Sequence, residues 1–277
     1  MSLVSDTFRS RELLANLTRR EISGKYKRTA LGQLWSLVNP LAQMVIFWAV
    51  FSFVIRIKPA PGDPSGLDIF AVWLLCGLLP WAFFANVVNN GMASLVSNEN
   101  LIKKVWFPRL VLPVSSTLAV VVSWAIEMAV LTVVLVVVGG RPLVWLPLVV
   151  VAMALLALFS LGVGLMFAVL NVYFRDTQHF IGILMQAWFY ATPVIYPVSY
   201  VAKVSGETGA LFGSVTLYDL YRLNPMERFL EVFRTLLYDN RWPPLDSTLA
   251  AFGWAAAALA LGLWVFSRHQ RRLAEVL

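Results

Sequence analysis

The sequence predicts an all-α integral membrane protein with six transmembrane helices, and three observations carry that expectation. Of 277 residues, 59% are hydrophobic and only 13% are charged, about half the charged share of an ordinary soluble domain. The mean hydropathy is +0.74; a single soluble core of this size does not cover that much apolar surface, and disorder needs the opposite composition. The apolar residues fall into runs near the roughly 20 residues that a helix needs to cross hydrocarbon. Finally, Lys and Arg divide unequally between the segments joining those runs: fourteen on the side that holds both termini, eight on the other. This places the termini in the cytoplasm.

Residues 1–36 form a polar, basic cytoplasmic segment. From about residue 10 to 26 an amphipathic helix is expected, with Leu13, Leu14, Leu17 and Ile22 as its apolar positions and Arg19, Arg20, Lys25, Lys27 and Arg28 supplying charge. Such a helix beside a first span suits the membrane surface. It is either an orientation anchor or an element that touches a cytoplasmic partner or guides a polar-headed substrate. The first span is predicted at about 37–55. It is retained, because a signal peptide carries its apolar core nearer the start and ends in a small-residue cleavage site. The second span, about 69–88, contains Pro80 and several aromatics.

In the loop that follows, Ser97 or Asn98 can cap a short helix. Glu99 favours its positive end, Lys103 and Lys104 its negative end, and Pro108 stops it. Leu101, Ile102, Val105, Trp106 and Phe107 are too apolar for a solvated loop, so lipid or another protein covers them. The third span, about 110–138, holds Glu127; Gly139–Pro142 turns the chain tightly into the fourth, about 143–169. The fifth run, about 181–195, is short and meets Pro193 and Pro197. The outer loop 196–248 carries its own helix signal: Asn224 as cap, Pro225 at the first position and Glu227 at the third, as in a capping box. Met226, Phe229, Leu230, Phe233 and Leu237 follow at helical spacing. A proline-broken run and then an amphipathic helix read as a partial or re-entrant passage, which survives at membrane depth only under cover of protein or a water-filled cavity. The sixth span is about 249–266 and the cytoplasmic tail 267–277.

No catalytic, cofactor-binding or metal-ligating residues are expected in the chain itself. Cys76 is the single cysteine and reads as packing; His179 and His269 are far apart. There is no phosphate-binding GxxxxGK[ST] stretch, no HExxH and no G-x-S-x-G. The positive charge is a topology signal and an attraction to anionic lipid heads, not a nucleic-acid footprint. Glu127 is the one ionisable residue well inside a span. A carboxylate there faces a bundle interior or a cavity, either as a structural hydrogen-bonding group or in gating and substrate passage.

The stretch Ile22–Pro40 resembles the opening of permease subunits of type-two ABC transporters that export O-antigen, teichoic acid, capsule or related lipid-linked polysaccharides. Gly77–Phe84, Asn98–Arg109, Leu170–Asp176, Ala191–Pro197 and Leu223–Pro225 continue the likeness in order, over about residues 10–270. The resemblance implies a homodimer in the bacterial inner or cell membrane, paired with two copies of a separate ATPase subunit that binds ATP and Mg. It implies a coupling helix at Asn98–Phe107 that seats Glu99, Leu101, Ile102, Lys103 and Trp106 in the ATPase, and a second contact at Arg175 and Asp176. The N-terminal helix becomes a cytoplasmic interface gate, and the segment after Pro197 an external re-entrant gate. For a hydroxyl-rich chain, the aromatics Trp81, Phe83, Phe84, Trp188, Phe189, Tyr190 and Tyr196 are expected to line the route; their alternative role is an interfacial belt. Rival readings are an exporter of a small drug or lipid from the same superfamily, a lipid-linked sugar transferase, which would need clustered acids that are absent here, and a scaffold without transport.

Overall fold

The computed structural model describes residues 61–212 and 214–270, residues 7 and 9–25, positions 35, 38, 41, 42, 45, 46, 49 and 50, and residues 272 and 273. Within the first predicted span, positions 38, 41, 42, 45, 46, 49 and 50 are described and all are helical; the rest of that span, with Lys27, Arg28 and the side chain of Lys25, lies outside the described residues.

The elements are α1 (Arg11–Lys25), α2 (Phe70–Ala93), α3 (Glu99–Lys104), α4 (Val111–Val137), α5 (Pro142–Tyr173), α6 (Thr177–Tyr190), α7 (Val198–Thr208), β1 (Ala210–Phe212), β2 (Val215–Thr216), α8 (Leu217–Tyr221), α9 (Pro225–Arg234) and α10 (Leu245–His269). Among the described residues, α2, α4, α5 and α10 are the four helices long and apolar enough to cross a membrane. The two strands form a minimal antiparallel ladder in an otherwise helical architecture. The fifth predicted run differs most from expectation. It forms the 14-residue helix α6, which stops at Tyr190, about 21 Å at 1.5 Å per residue against a hydrocarbon core of about 30 Å. The chain then turns through 191–196, because Pro193 cannot donate into the helix and disfavours helical backbone before it.

Helix α2 is the centre of the bundle, with Leu75, Cys76, Phe84 and Val88 fully buried. It packs on α5 where Gly91 meets Gly164: a Cβ built on Gly91 would lie 3.4 Å from the Gly164 Cα. Helices α5 and α10 cross still closer. A Cβ on Gly162 would run into the Ala258 carbonyl, and one on Gly262 would lie 2.8 Å from the Gly162 Cα. Small residues permit this backbone approach, the packing mode that serves where lipid removes the hydrophobic drive between helices. Ala251, Ala255, Ala258 and Gly262 bury the matching stripe of α10. Large aliphatics face outward instead, among them Val133, Val137, Val144 and Leu249.

Two apolar cores result. The larger joins α2, α4, α5 and α9. The smaller lies where α1 and α3 pack against the adjoining ends of α4, α5 and α10 and gathers Leu17, Leu95, Ile102, Phe107, Val169 and Phe266. The helix α5 begins with Pro142 at its first turn, the position where the missing N–H costs nothing, after Gly139 turns the backbone at φ 94°. Asn240, in the left-handed region at φ 60°, accepts the Arg141 N–H at 2.6 Å and so ties this hairpin to the chain that enters α10.

Candidate coupling end and gate end

At one end of the bundle, α3 stands on the smaller core. Ile102 is buried and Leu101 packs beside it, so these two residues anchor the helix to its own subunit. Trp106 is 90% exposed and Val105 is 55% exposed. Of the residues expected to meet an ATPase, the structure therefore turns Trp106 outward and Ile102 inward. Glu99 accepts a hydrogen bond from Lys103 Nζ at 2.6 Å; that bond and the neighbouring ammonium hold its carboxyl below the usual carboxylate range. Arg175 lies 3.9 Å from the other Glu99 oxygen, so the two expected contact regions adjoin. Asp176 precedes α6 without capping it by its side chain. Arg20 Nη2 donates to Asn98 Oδ1 at 2.6 Å, joining α1 to the start of α3. Asn98 uses its amide on the Ser94 carbonyl at 2.9 Å and makes no cap bond to α3, which departs from the expected capping role. Arg19 is exposed.

At the other end, Asn224 caps α9, accepting the Met226 N–H at 3.0 Å. The same oxygen accepts the Trp188 indole N–H at 2.8 Å, and its amide donates to the Thr192 hydroxyl at 2.9 Å and the Ala191 carbonyl at 3.2 Å. The Ala191–Pro197 and Leu223–Pro225 stretches are thus one knot. The expected box at Glu227 does not close: the Asn224 N–H donates to the Tyr221 carbonyl, and Glu227 is buried against Arg228 Nε at 3.4 Å. A complete box forms instead at Thr216 and Asp219, whose hydrogen bonds hold the Asp219 carboxyl below its ordinary range. Tyr196 donates its hydroxyl to the Tyr190 carbonyl at 2.7 Å and meets the Tyr221 hydroxyl at 3.0 Å.

Arg234, which the amphipathic pattern sets apart from the apolar positions of α9, is buried and fixes the break after α6. Its guanidinium donates to the Pro193 and Val194 carbonyls at 2.6 and 2.7 Å and lies 3.7 Å over the Trp73 ring. It fills the space that Gly77 leaves empty. Ion pairs then bind this region to α10, Arg222 to Asp246 at 2.6 Å and Arg228 to Asp246 at 3.1 Å, while Arg222 also lies 3.5 Å from Glu231 of α9. Ser247 donates to Glu231.

The expected route aromatics divide. Trp81, Phe83 and Phe84 are buried. Phe83 stacks on Trp124 with centroids 3.9 Å apart, and Trp81 and Phe84 meet Trp188 edge-on at 6.3 and 5.2 Å. All three are packed within the subunit core, and Phe83 also borders the cavity between α2 and α4. Trp188, Phe189 and Tyr196 are half-buried and Tyr190 is exposed. Glu127 is half-buried on the wall of a polar cavity of about 460 Å³ between α2 and α4.

Residues 12–238 match the family model described as ABC-2 type transporter. The chain is 28% identical over 273 residues to the O-antigen export system permease protein RfbA of Myxococcus xanthus, covering 99% of this chain and 98% of that protein. It is 31% identical over 271 residues to a protein of the same name from Klebsiella pneumoniae, covering 96% and 95%. Similarity to the polysialic acid transport protein KpsM of Escherichia coli is 25% over 195 residues, covering 66% of this chain and 69% of that protein.

Proposed function

The chain belongs to the ABC-2 type transporter family, and from that premise we propose that it is the permease subunit of an ATP-driven exporter moving a lipid-linked polysaccharide outward across the bacterial inner or cell membrane. The observation that carries this reading is the end-to-end likeness to O-antigen export permeases, over 99% of the chain in one case. The chemistry agrees. A polysaccharide carries too many hydroxyls to cross hydrocarbon, where each unpaired polar group costs several kcal/mol, so it needs a protein route and an energy source.

That source is a separate ATPase, two copies of which bind ATP and Mg and seat against a homodimer of this chain. The exposed Trp106 beside the Glu99–Lys103 pair supports α3 as its docking element, with Arg175 and Asp176 adjoining. The termini lie in the cytoplasm, as the distribution of Lys and Arg argues, which makes the end bearing α1 and α3 cytoplasmic and the knot around Asn224 external. There α6 to α9 act as a re-entrant gate, with Trp188, Tyr190 and Tyr196 at the outer mouth.

Depletion of the protein tests the reading. A lipid-linked glycan should accumulate on the cytoplasmic side of the membrane, and an ATPase should co-purify with the chain. Normal surface glycan after depletion would remove the exporter assignment.

A further inference from the structure

On α2, Asn86, Asn89 and Asn90 are all exposed, although this helix is long and apolar enough to cross a membrane. Positions separated by three and four residues share one helical face, so the three amides form a stripe. Facing lipid, each would cost several kcal/mol, since hydrocarbon offers no hydrogen-bond partner. Two of them, Asn86 and Asn90, line the cavity of about 460 Å³ that runs between α2 and α4, within the roughly 300–1,000 Å³ typical of small-ligand sites. Ser116, Ser123 and Glu127 line it from α4. Ser116, Ser123 and Glu127 recur at helical spacing, so the trench follows one face of α4. The stacked rings of Phe83 and Trp124 form its apolar wall. Its far end reaches Ser97, Asn98 and the end of α1, the region assigned above to the cytoplasm.

The donor set selects among ligands. An amide both donates and accepts, a hydroxyl does either, and a carboxylate accepts; together they match vicinal hydroxyls, which do both. The described lining holds two carboxylates, Glu21 and Glu127; Arg20 at its edge pairs with Glu21 at 3.2 Å and donates to Asn98.

We propose that this trench binds hydroxyl-rich sugar residues of the exported glycan on the cytoplasmic side, through Asn86, Asn90, Ser116, Ser123 and Glu127. The proposal rests on the exporter reading. It moves the polar part of the route from the aromatic cluster to an amide-and-hydroxyl face.

A photo-reactive benzoylphenylalanine placed in turn at positions 90 and 116, with position 133, where Val133 is exposed on the far part of α4, as control, tests this in cells that make the native glycan. Irradiation should give glycan-bearing adducts of the chain at 90 and 116, none at 133, and none anywhere in cells unable to start the glycan. In parallel, Asn90→Leu should lower export about fivefold, as expected for one lost hydrogen bond, with assembly with the ATPase unchanged, and Asn90→Gln should retain most export. The proposal is overturned if 90 and 116 label only lipid, a second copy of this chain or another part of the same chain. Equal glycan labelling at 133, or full export by Asn90→Leu, overturns it as well. Failure of the exporter reading has a separate signature: the unmodified chain would then support no glycan export at all.

Discussion

The contact between Arg234 and Gly77 allows a quantitative test of how the break after α6 is held. Arg234→Met removes two hydrogen bonds from a buried guanidinium to the Pro193 and Val194 carbonyls and its stacking on Trp73. Hydrogen bonds to charged groups contribute about 1.5–3 kcal/mol each and a desolvated cation–π contact about 2 kcal/mol. Removing the buried charge relieves several kcal/mol of desolvation, and methionine fills part of the volume. The expected net loss is about 3 kcal/mol, a Tm lowered by about 6–12 °C in a chain of this size. Arg234→Lys should fall between, because one ammonium does not reproduce a planar fork. Gly77→Ala places a Cβ 2.5 Å from the guanidinium Nη2 and 3.0 Å from its carbon; the arginine is pinned and cannot swing away without losing its carbonyls. The decisive measurement is the double-mutant cycle, read by thermal unfolding of the purified complex in nanodiscs. Gly77→Ala should destabilise the parent strongly and the Arg234→Met background weakly, with a coupling above about 1 kcal/mol. Additive effects would refute the claim that Arg234 occupies the space Gly77 vacates.

Three further outcomes follow from the geometry. Trp106→Ala should weaken ATPase docking by about 2 kcal/mol or more, the scale of an interface tryptophan, with insertion unchanged; pull-down of the ATPase at graded concentrations measures it, and a cysteine pair that never cross-links across this contact would count against docking there. Gly162→Val should abolish a monodisperse folded complex, since the opposing atoms are backbone and cannot retreat, whereas Gly182→Ala, which meets nothing within 4 Å, should be silent in size-exclusion profiles. Phe84→Leu should lower Tm while leaving export per folded complex intact, and Tyr190→Leu should do the reverse, because the first ring is fully buried and the second is 57% exposed; matched export and stability assays separate them.

Local signals were legible in the sequence. Asn224 and Pro225 start α9 as their chemistry dictates, and Glu99 and Lys103 pair across one helical turn. That Leu101, Ile102, Val105, Trp106 and Phe107 need cover was legible, but not that Ile102 and Phe107 find it in their own subunit while Trp106 stays exposed. What local patterns did not contain was tertiary. Arg234 and Pro193 are separated by forty-one positions, and only the folded chain shows that an arginine on an amphipathic helix faces inward to meet them. The Asn224 cap was readable, but its second use on Trp188 and Thr192 was not. The aromatics were read by type, and burial then divided them. The amide stripe on α2 had a signal that could have found it: Asn86, Asn89 and Asn90 interrupt an apolar run on one helical face.

The crossing of α5 and α10 bears on where this bundle can move. Interfaces made of side chains can slide, because rotamers exchange as one ridge passes another. Here Gly162 and Gly262 bring main chain against main chain, so axial slip requires the two axes first to separate, and the glycine contact between α2 and α5 extends that restriction to a third helix. The three form a stator. The apolar face of α9, with Met226, Phe229, Leu230 and Phe233 buried in the larger core, belongs to the same frame, whereas α1 is held at the edge by Leu17 and by the Arg20–Asn98 bond. The frame of the machine is thus set by positions where no side chain fits.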